Sequence, residues 1–150
     1  MIKDANVAKH REYANKNLNI THSGLCLISL EKVIECKEYG LCVSKEHARY
    51  NEQNAKKYNT QLMKLFCYLT QRSWNEIDSI RRDREYGHER LPIKCVHINH
   101  VKEHFKKLGK DNCDIFRFGA QNFRACGYRE KNIFYLICID YDFSLYNHGN

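Results

Sequence analysis

The stretch IFRFGAQNFRACGYREKNIFYLICIDYDFSLY, residues 115–146, decides the fold class of this chain. It holds four runs rich in β-forming residues, separated by short polar segments such as 119–122 and 129–132. Connections this short join antiparallel strands, because a parallel crossover needs a dozen residues or more. The stretch therefore predicts a C-terminal β-meander with strands at 115–118, 123–128, 132–139 and 143–146.

The third of these runs, Asn132 to Asp140, is predicted to be the central strand of the sheet. Strand alternation places Phe134, Leu136 and Cys138 on one face, and Ile133, Tyr135, Ile137 and Ile139 on the other. A strand that is apolar on both faces needs cover on both, and as an exposed edge it would invite aggregation. The strand at 123–128 and either the run at 143–146 or an N-terminal strand should flank it, which would bring Arg124 and Tyr146 to a common surface.

Upstream of the meander the pattern is mostly helical. An apolar stripe predicts a helix from about 45 to 71, and Ser73 with Glu76 forms a capping box for a second helix at 74–82, with Trp74 in the core. A third helix is predicted from an Asn99 cap to Gly109. Strand-like runs occur at 25–30 and 39–43, and residues 1–19 form a polar peripheral arm. The predicted fold class is α+β, with helices packed on one face of a mainly antiparallel sheet.

The composition fits a single domain spanning residues 1–150. The chain is 43% hydrophobic and has 18 aromatic residues and one proline, which argues against intrinsic disorder. No apolar run is long enough to span a bilayer, and no apolar segment follows the first lysine as a secretory signal would require. We therefore expect a cytoplasmic protein without a membrane partner. In that compartment the eight cysteines are expected to be mainly buried free thiols rather than disulfides.

The net charge of +7 favours a polyanionic partner. Residues 81–110 carry nine of the 25 lysines and arginines against four acids. The segment 81–90 also contains Tyr86, Gly87 and His88, a mixture suited to contacting phosphates and bases. The alternative is a solvated helix end, because cations and acids alternate there. The candidate nucleic-acid contacts in this segment are Arg81, Arg82, Arg84 and Arg90.

A second group of residues, Cys95, His97, His100 and His104, has the chemistry of zinc ligands. Their spacing forms one dense group rather than the two short pairs of a structural zinc site, so the alternative is solvated side chains beside a helix. Asp140 and Asp142 offer a further choice between a metal or acid–base pair and an Asp turn that ends the last strand. We predict no metal and no cofactor.

The segment Arg124-Ala125-Cys126-Gly127-Tyr128-Arg129, which leads into an apolar strand, resembles the penultimate strands of RelE/ParE-type toxins. These small α+β proteins are ribosome-dependent mRNA endonucleases or gyrase poisons. The resemblance covers about the last 35 residues. It implies a RelE-like sheet, and by motif position it supports functional roles for Arg124, Tyr128 and Arg129.

A broader resemblance extends over more of the chain. A family of small bacterial and mobile-element proteins, for which no activity is established, has similar Ser-Trp-x-Glu-Ile, Phe-Arg-Phe and Asp-x-Asp-Phe-x-Leu-Tyr-x-His-Gly motifs. The corresponding segments here are 73–77, 116–118 and 140–149. This resemblance implies a mobile-element context and leaves the chemistry open.

These features lead to the hypothesis of an RNA-directed, toxin-like effector that acts, if it is catalytic, as a metal-independent endoribonuclease. Its partners would be RNA or a ribonucleoprotein, and a small antitoxin or another protein. RNA cleavage of this kind needs a base, an acid and cations around the phosphate. The candidate catalytic residues are His88, Arg124, Arg129, Tyr146 and His148, and Arg117 and Tyr128 join the nucleic-acid contacts. The alternative is a non-catalytic binding or inhibitor protein from a mobile element that docks on a nucleoprotein complex.

Overall fold

The computed structural model describes residues 24–34 and 52–147. Within these ranges the regular elements are β1 (Leu27–Ser29), α1 (Glu52–Thr70), α2 (Trp74–Asp78), β2 (His88–Pro92), α3 (Asn99–Lys107), β3 (Asn112–Phe118), β4 (Phe123–Glu130) and β5 (Ile133–Asp140). A single 3-10 turn, Ile93–Cys95, follows β2. The predicted arm 1–19, the predicted strand 39–43 and His148 lie outside the described residues.

The strands form one five-stranded mixed sheet in the order β1-β5-β4-β3-β2. Strands β2, β3, β4 and β5 pair with one another in antiparallel fashion. The predicted α+β class is confirmed, and so is a meander of the first three predicted C-terminal runs, which are β3, β4 and β5. Strand β1 pairs with β5 in parallel. Strand β5 is therefore interior, as predicted, and an N-terminal strand is the neighbour on its far side. The middle strand of the five is β4 rather than β5.

Helices cover both faces of the sheet, which corrects the prediction that they pack on one face. On the face that we call the α1 face, helices α1 and α2 pack on Phe116, Phe134 and Leu136. On the opposite face, the α3 face, helix α3 packs on Ile115 and Ile137. The physical reason is the apolar character of both faces of β5, since one helical layer leaves half of that surface in water.

A β-bulge corrects the predicted alternation along β5. Cys126 pairs with Cys138 and the next residue, Gly127, pairs with Leu136, so Ile137 is the additional residue. Ile137 and Cys138 both join the core of the α3 face, and Ile139 moves to the α1 face. The bulge also explains the glycine, because a Cβ atom at position 127 would lie 2.0 Å from the carbonyl oxygen of Tyr135.

The run 143–146 is not a strand, contrary to prediction. The carboxylate of Asp140 accepts hydrogen bonds from the backbone N–H groups of Asp142, Ser144 and Leu145 at 3.1–3.3 Å. These bonds bend the chain immediately after β5, so the interpretation of this motif as an Asp turn is confirmed. Burial raises the pKa of Asp140. The chain then forms only an isolated antiparallel bridge between Val96 and Tyr146.

The predicted helices exist with shifted ends. The buried stripe of α1 contains Tyr58, Leu62, Leu65 and Leu69, all of which were predicted, although the described helix begins at Glu52. The capping box of α2 is present, and Trp74 is core with 3% of its surface exposed, but this helix ends at Asp78 instead of 82. The N-cap position of α3 is Ile98, which makes no side-chain cap hydrogen bond, so Asn99 is the first helical residue rather than the cap, and the helix ends at Lys107.

The cysteine prediction holds for most of the described cysteines. All six are free; Cys26, Cys113, Cys126 and Cys138 are buried, and Cys95 is partly buried. Desolvation raises the pKa of the Cys26 thiol to about 12, so it behaves as an apolar core group. Cys67 is the exception in this set, because it is exposed on α1.

Candidate functional site

A cluster of four ionisable side chains and one indole ring lies on the α1 face near the edge strand β2. We call it the His88 cluster; its members are His88 from β2, Asp114 from β3, Arg129 from β4, and Asp78 and Trp74 from α2. The two ring nitrogens of His88 contact different carboxylates: Nδ1 lies 2.9 Å from Asp78 Oδ1, and Nε2 lies 3.0 Å from Asp114 Oδ1. Strand register and the short helix α2 thus bring five residues from four elements to one place.

The sheet holds the inner half of this cluster firmly. His88 is the cross-strand partner of Phe116, and the two rings stack with their centroids 4.9 Å apart. Asp114 has only 5% of its side chain exposed, and its second oxygen accepts the backbone N–H of Arg129 at 3.0 Å. Both oxygens of this buried carboxylate are therefore used inside the cluster, as a buried charge requires.

The outer half of the cluster is more accessible. Asp78 is 46% exposed, and its second oxygen lies 3.6 Å from Arg129 Nη1. The Arg129 guanidinium lies 4.2 Å from the centre of the Trp74 ring, and its Nε donates to the carbonyl of Lys131 at 2.7 Å. An exposed cation is thus fixed near Asp78 by an aromatic face and a backbone bond.

The contacts of His88 define what its ring can donate. A neutral imidazole donates from only one of its nitrogens, whereas a carboxylate only accepts. Both contacts of His88 are hydrogen bonds only when both ring nitrogens carry a proton. In that doubly protonated form the ring would donate to two acceptors, of which Asp78 is the more exposed to solvent.

A second cluster lies on the α3 face and contains Arg124, Tyr146, Glu89 and Arg117. The Tyr146 hydroxyl donates to Glu89 at 2.8 Å and accepts from Arg124 Nε at 3.2 Å. Burial, followed by the hydrogen bond to Glu89, raises the pKa of Tyr146. Arg124 is 3% exposed, and it also donates to the carbonyls of Gln121 and Phe123. This Tyr146 cluster fastens the C-terminal segment to the sheet.

The predicted catalytic residues are therefore divided between two faces. His88 and Arg129 meet in the His88 cluster, and Arg124 and Tyr146 meet, as expected, in the Tyr146 cluster. Of the predicted nucleic-acid contacts, Arg117 lies 3.6 Å from Glu89, and Tyr128 stacks on Tyr135 on the α3 face. No described contact joins the two clusters into one site.

The predicted basic segment forms an exposed loop followed by an edge strand. Arg81, Arg82 and Arg84 are exposed, and Arg81 pairs with Asp83 at 2.6 Å. The loop folds tightly onto Gly87, where a Cβ atom would lie 2.5 Å from the Arg81 carbonyl oxygen. Arg90 is exposed on β2, two residues from His88 and on the same face of the strand. Four exposed cations therefore lie within seven positions of His88 in the sequence.

The proposed zinc ligands do not assemble. Among residues 24–34 and 52–147, no three histidine, cysteine, aspartate or glutamate side chains are placed to hold one metal ion. His104 instead contacts the backbone carbonyl of Lys32 at 3.0 Å. In the same part of the chain, no helix has the length and apolar character needed to cross a membrane.

No protein-family model, curated protein or solved structure matches this chain.

Sequence reasoning missed two members of the His88 cluster, Asp78 and Asp114. Asp114 was detectable, because a carboxylate directly before the apolar run 115–118 is rarely buried without a partner. Asp78 gave no such signal, since it lies at the end of a helix where a solvated acid is common.

Proposed function

We propose that this protein is an RNA-directed effector that cleaves single-stranded RNA without a metal ion, with the His88 cluster as its active site. The observation that carries the proposal is the placement of His88 between a buried and an exposed carboxylate, beside the exposed cation of Arg129. An acid, a base and a phosphate-binding cation are the groups that such cleavage requires.

Each side chain has a definite part in the proposed reaction. The exposed carboxylate of Asp78 removes the proton of a 2′-hydroxyl, whose oxygen then attacks the adjacent phosphorus. Arg129 stabilises the charge of the pentacovalent phosphorane, and His88 gives a proton to the departing 5′-oxygen. The products are a 2′,3′-cyclic phosphate and a 5′-hydroxyl, and transfer of the proton from Asp78 to His88 restores both groups.

The geometry requires one movement before this reaction. Asp78 and His88 are hydrogen-bonded to each other, whereas an acid and a base must lie on opposite sides of the phosphate. Asp78 is the group free to move, because it is 46% exposed at the end of a five-residue helix, whereas Asp114 holds the other side of the ring. Arg124 and Tyr146, which are buried on the opposite face, have a structural part in this proposal.

The exposed cations Arg81, Arg82, Arg84 and Arg90 supply the electrostatic attraction for RNA. The affinity of the protein for RNA should therefore fall as the salt concentration rises. In a plot of log K against log salt concentration, each phosphate neutralised should contribute a slope of about −0.7. From the RelE/ParE resemblance we also propose that the protein acts as a toxin and has a small antitoxin or another protein as its partner.

The test is cleavage of a labelled single-stranded RNA by the purified full chain in EDTA, with the same sequence in DNA as a substrate control. We expect cyclic-phosphate ends from RNA alone. Asp78→Asn and Arg129→Gln should each lower the rate by a factor of about 10² to 10⁴. Lys131→Gln, an exposed change beside Arg129, is the matched control and should leave the rate unchanged.

A second candidate function, a binding protein without catalysis, is favoured by a specific observation. Both nitrogens of His88 and both oxygens of Asp114 already have partners inside the cluster. If wild-type protein binds RNA with the expected salt dependence but leaves it intact, the enzyme proposal is wrong and this binder is supported. Absence of salt-dependent binding would overturn both.

A further inference from the structure

A groove on the outer side of α1 holds a stack of planar groups that neither cluster uses. The rings of Tyr68 and Tyr86 stack with their centroids 4.2 Å apart and an interplanar angle of 20°. The guanidinium of Arg72 lies 3.7 Å from the centre of the Tyr68 ring. The groove beside this stack has a volume of about 580 Å³ and is also lined by Lys64 and Cys67.

Several contacts hold this stack in place. Arg72 Nη1 donates to the Tyr68 carbonyl at 2.8 Å, so the arginine is fixed to the last turn of α1. Tyr86 has a φ of 61°, a left-handed backbone conformation that is unfavourable for a residue with a side chain. Its backbone N–H donates to the Arg117 carbonyl at 2.9 Å, which holds Tyr86 in this conformation. The stack is therefore built in the protein before any ligand arrives.

The charge of the groove is positive. Of the eight described residues that line it, Lys64 and Arg72 are cations and none is acidic. The acid next to it in sequence, Glu85, accepts the N–H of Gln121 at 3.0 Å in the β3–β4 turn. Tyr86 also joins the groove to the basic loop 81–84 on one side and to His88, two residues later, on the other.

We propose that this groove binds an unpaired nucleobase together with its neighbouring phosphate, as a subsite for single-stranded RNA. Aromatic rings and arginine planes are the surfaces on which proteins stack unpaired bases, and lysine and arginine attract the phosphates that flank them. Arg72 and Tyr86 cover the two faces of the Tyr68 ring, so the base would stack on an outer plane, that of Arg72 or of Tyr86. A mainly apolar groove of comparable size lies between β1 and the end of α1, but its lining residues carry no charge, so it lacks these features.

The subsite deepens the proposed function, on which it rests for the identity of the ligand, yet it needs no catalysis. It assigns the basic loop to the phosphates, the stack to a base and the His88 cluster to the adjacent backbone. Binding and cleavage can therefore be tested separately.

The first test is the affinity of the full chain for a fluorescein-labelled octamer of single-stranded RNA. Tyr68 is the middle plane of the stack, so Tyr68→Leu removes the support of both outer planes and should weaken binding by about 5-fold to 150-fold, the range for the loss of one base stack. Tyr68→Phe retains the ring and should bind like wild type. The matched control is Tyr135→Leu, since Tyr135 belongs to a similar tyrosine stack with a lysine nearby on the other side of the sheet.

A second test needs no variant, so it does not depend on how the variants fold. Cys67 lines the groove and is exposed, whereas Cys95 is only partly buried and lies outside the groove. Bound octamer should slow alkylation of Cys67 by iodoacetamide at least severalfold and leave alkylation of Cys95 unchanged, as followed by peptide mass spectrometry. An abasic octamer should protect Cys67 less.

The outcomes separate this subsite from the proposed catalysis. Protection of Cys67 without RNA cleavage would support the subsite and overturn the enzyme. Cleavage without protection of Cys67, or equal losses of affinity in Tyr68→Leu and Tyr135→Leu, would overturn the subsite alone.

Discussion

Replacement of Asp114 tests whether the His88 cluster is organised around this buried carboxylate. Asp114 accepts one hydrogen bond from the His88 ring and one from the Arg129 backbone, each at 3.0 Å, with 5% of its side chain exposed. Asp114→Asn keeps the shape but turns one acceptor into a donor, so, where His88 donates from Nε2, one of these N–H groups faces another donor. The expected loss of unfolding free energy is about 1–3 kcal/mol, the cost of a buried polar group left without its partner.

Asp114→Ala removes both acceptors and leaves the histidine with only its exposed partner, Asp78. Breaking a buried charge pair by deletion of one side costs about 3–5 kcal/mol. The assay is urea unfolding followed by far-UV circular dichroism, which senses the sheet and the helices. The order of stability should be wild type, then Asp114→Asn, then Asp114→Ala.

The matched control is Asp83→Asn in the exposed loop. Asp83 pairs with Arg81 at 2.6 Å, but the two side chains are 53% and 70% exposed, so the pair contributes at most about 1 kcal/mol. If Asp114→Asn unfolded at the same urea concentration as wild type, or if Asp83→Asn cost as much, the cluster would not be the organising contact argued here.

Three further predictions concern the framework of the site. Trp74→Ala should cost about 3–5 kcal/mol in thermal or urea unfolding, because the indole is buried and also donates to the Asn132 carbonyl; an unchanged melting temperature would contradict this. The hydrogen bonds from Ser73 lower the pKa of Glu76, so its charge stabilises the fold above its ordinary pKa and this contribution is lost as pH falls through the lowered value. The difference in urea midpoint between wild type and Glu76→Gln should therefore shrink from pH 7 to pH 3, and a constant gap would refute the capping role. Amides of Ile133 to Ile139 should be among the slowest to exchange hydrogen, and fast exchange there would refute an interior β5.

The elements that sequence predicted well are those whose signal is local. The apolar stripe of α1 and the Ser73–Glu76 box each depend on residues within one helix, and both are present. Strand β2, with the sequence HERLP, was missed because its partners in β3 lie 20 to 28 residues away and its side chains are mostly polar. The bulge at Ile137 was missed because nothing in β5 itself marks it; the signal is Gly127 on the neighbouring strand.

The site was predicted in part, and strand parity explains the rest. Arg124 and Arg129 both match one toxin motif, but they lie five positions apart on one strand. In a regular strand, side chains an odd number of positions apart point to opposite faces of the sheet. The sequence positions alone therefore exclude a single site that contains both Arg124 and Arg129. The predicted common surface of Arg124 and Tyr146 is confirmed. His88 and Arg129 were separate candidates, and the structure links them through Asp78, which the sequence did not identify.

The two clusters act together on the edge strand β2. Its consecutive residues His88 and Glu89 point to opposite faces, where His88 contacts Asp114 and Asp78 and Glu89 contacts Tyr146 and Arg117. A short polar edge strand has little apolar surface to hold it, so these contacts replace the packing that fixes an interior strand. In the proposed reaction Asp78 moves away from His88, whereas the contacts of Asp114 and of the Tyr146 cluster would continue to hold β2. Under that proposal Asp78, rather than Asp114, is the residue whose replacement separates catalysis from stability.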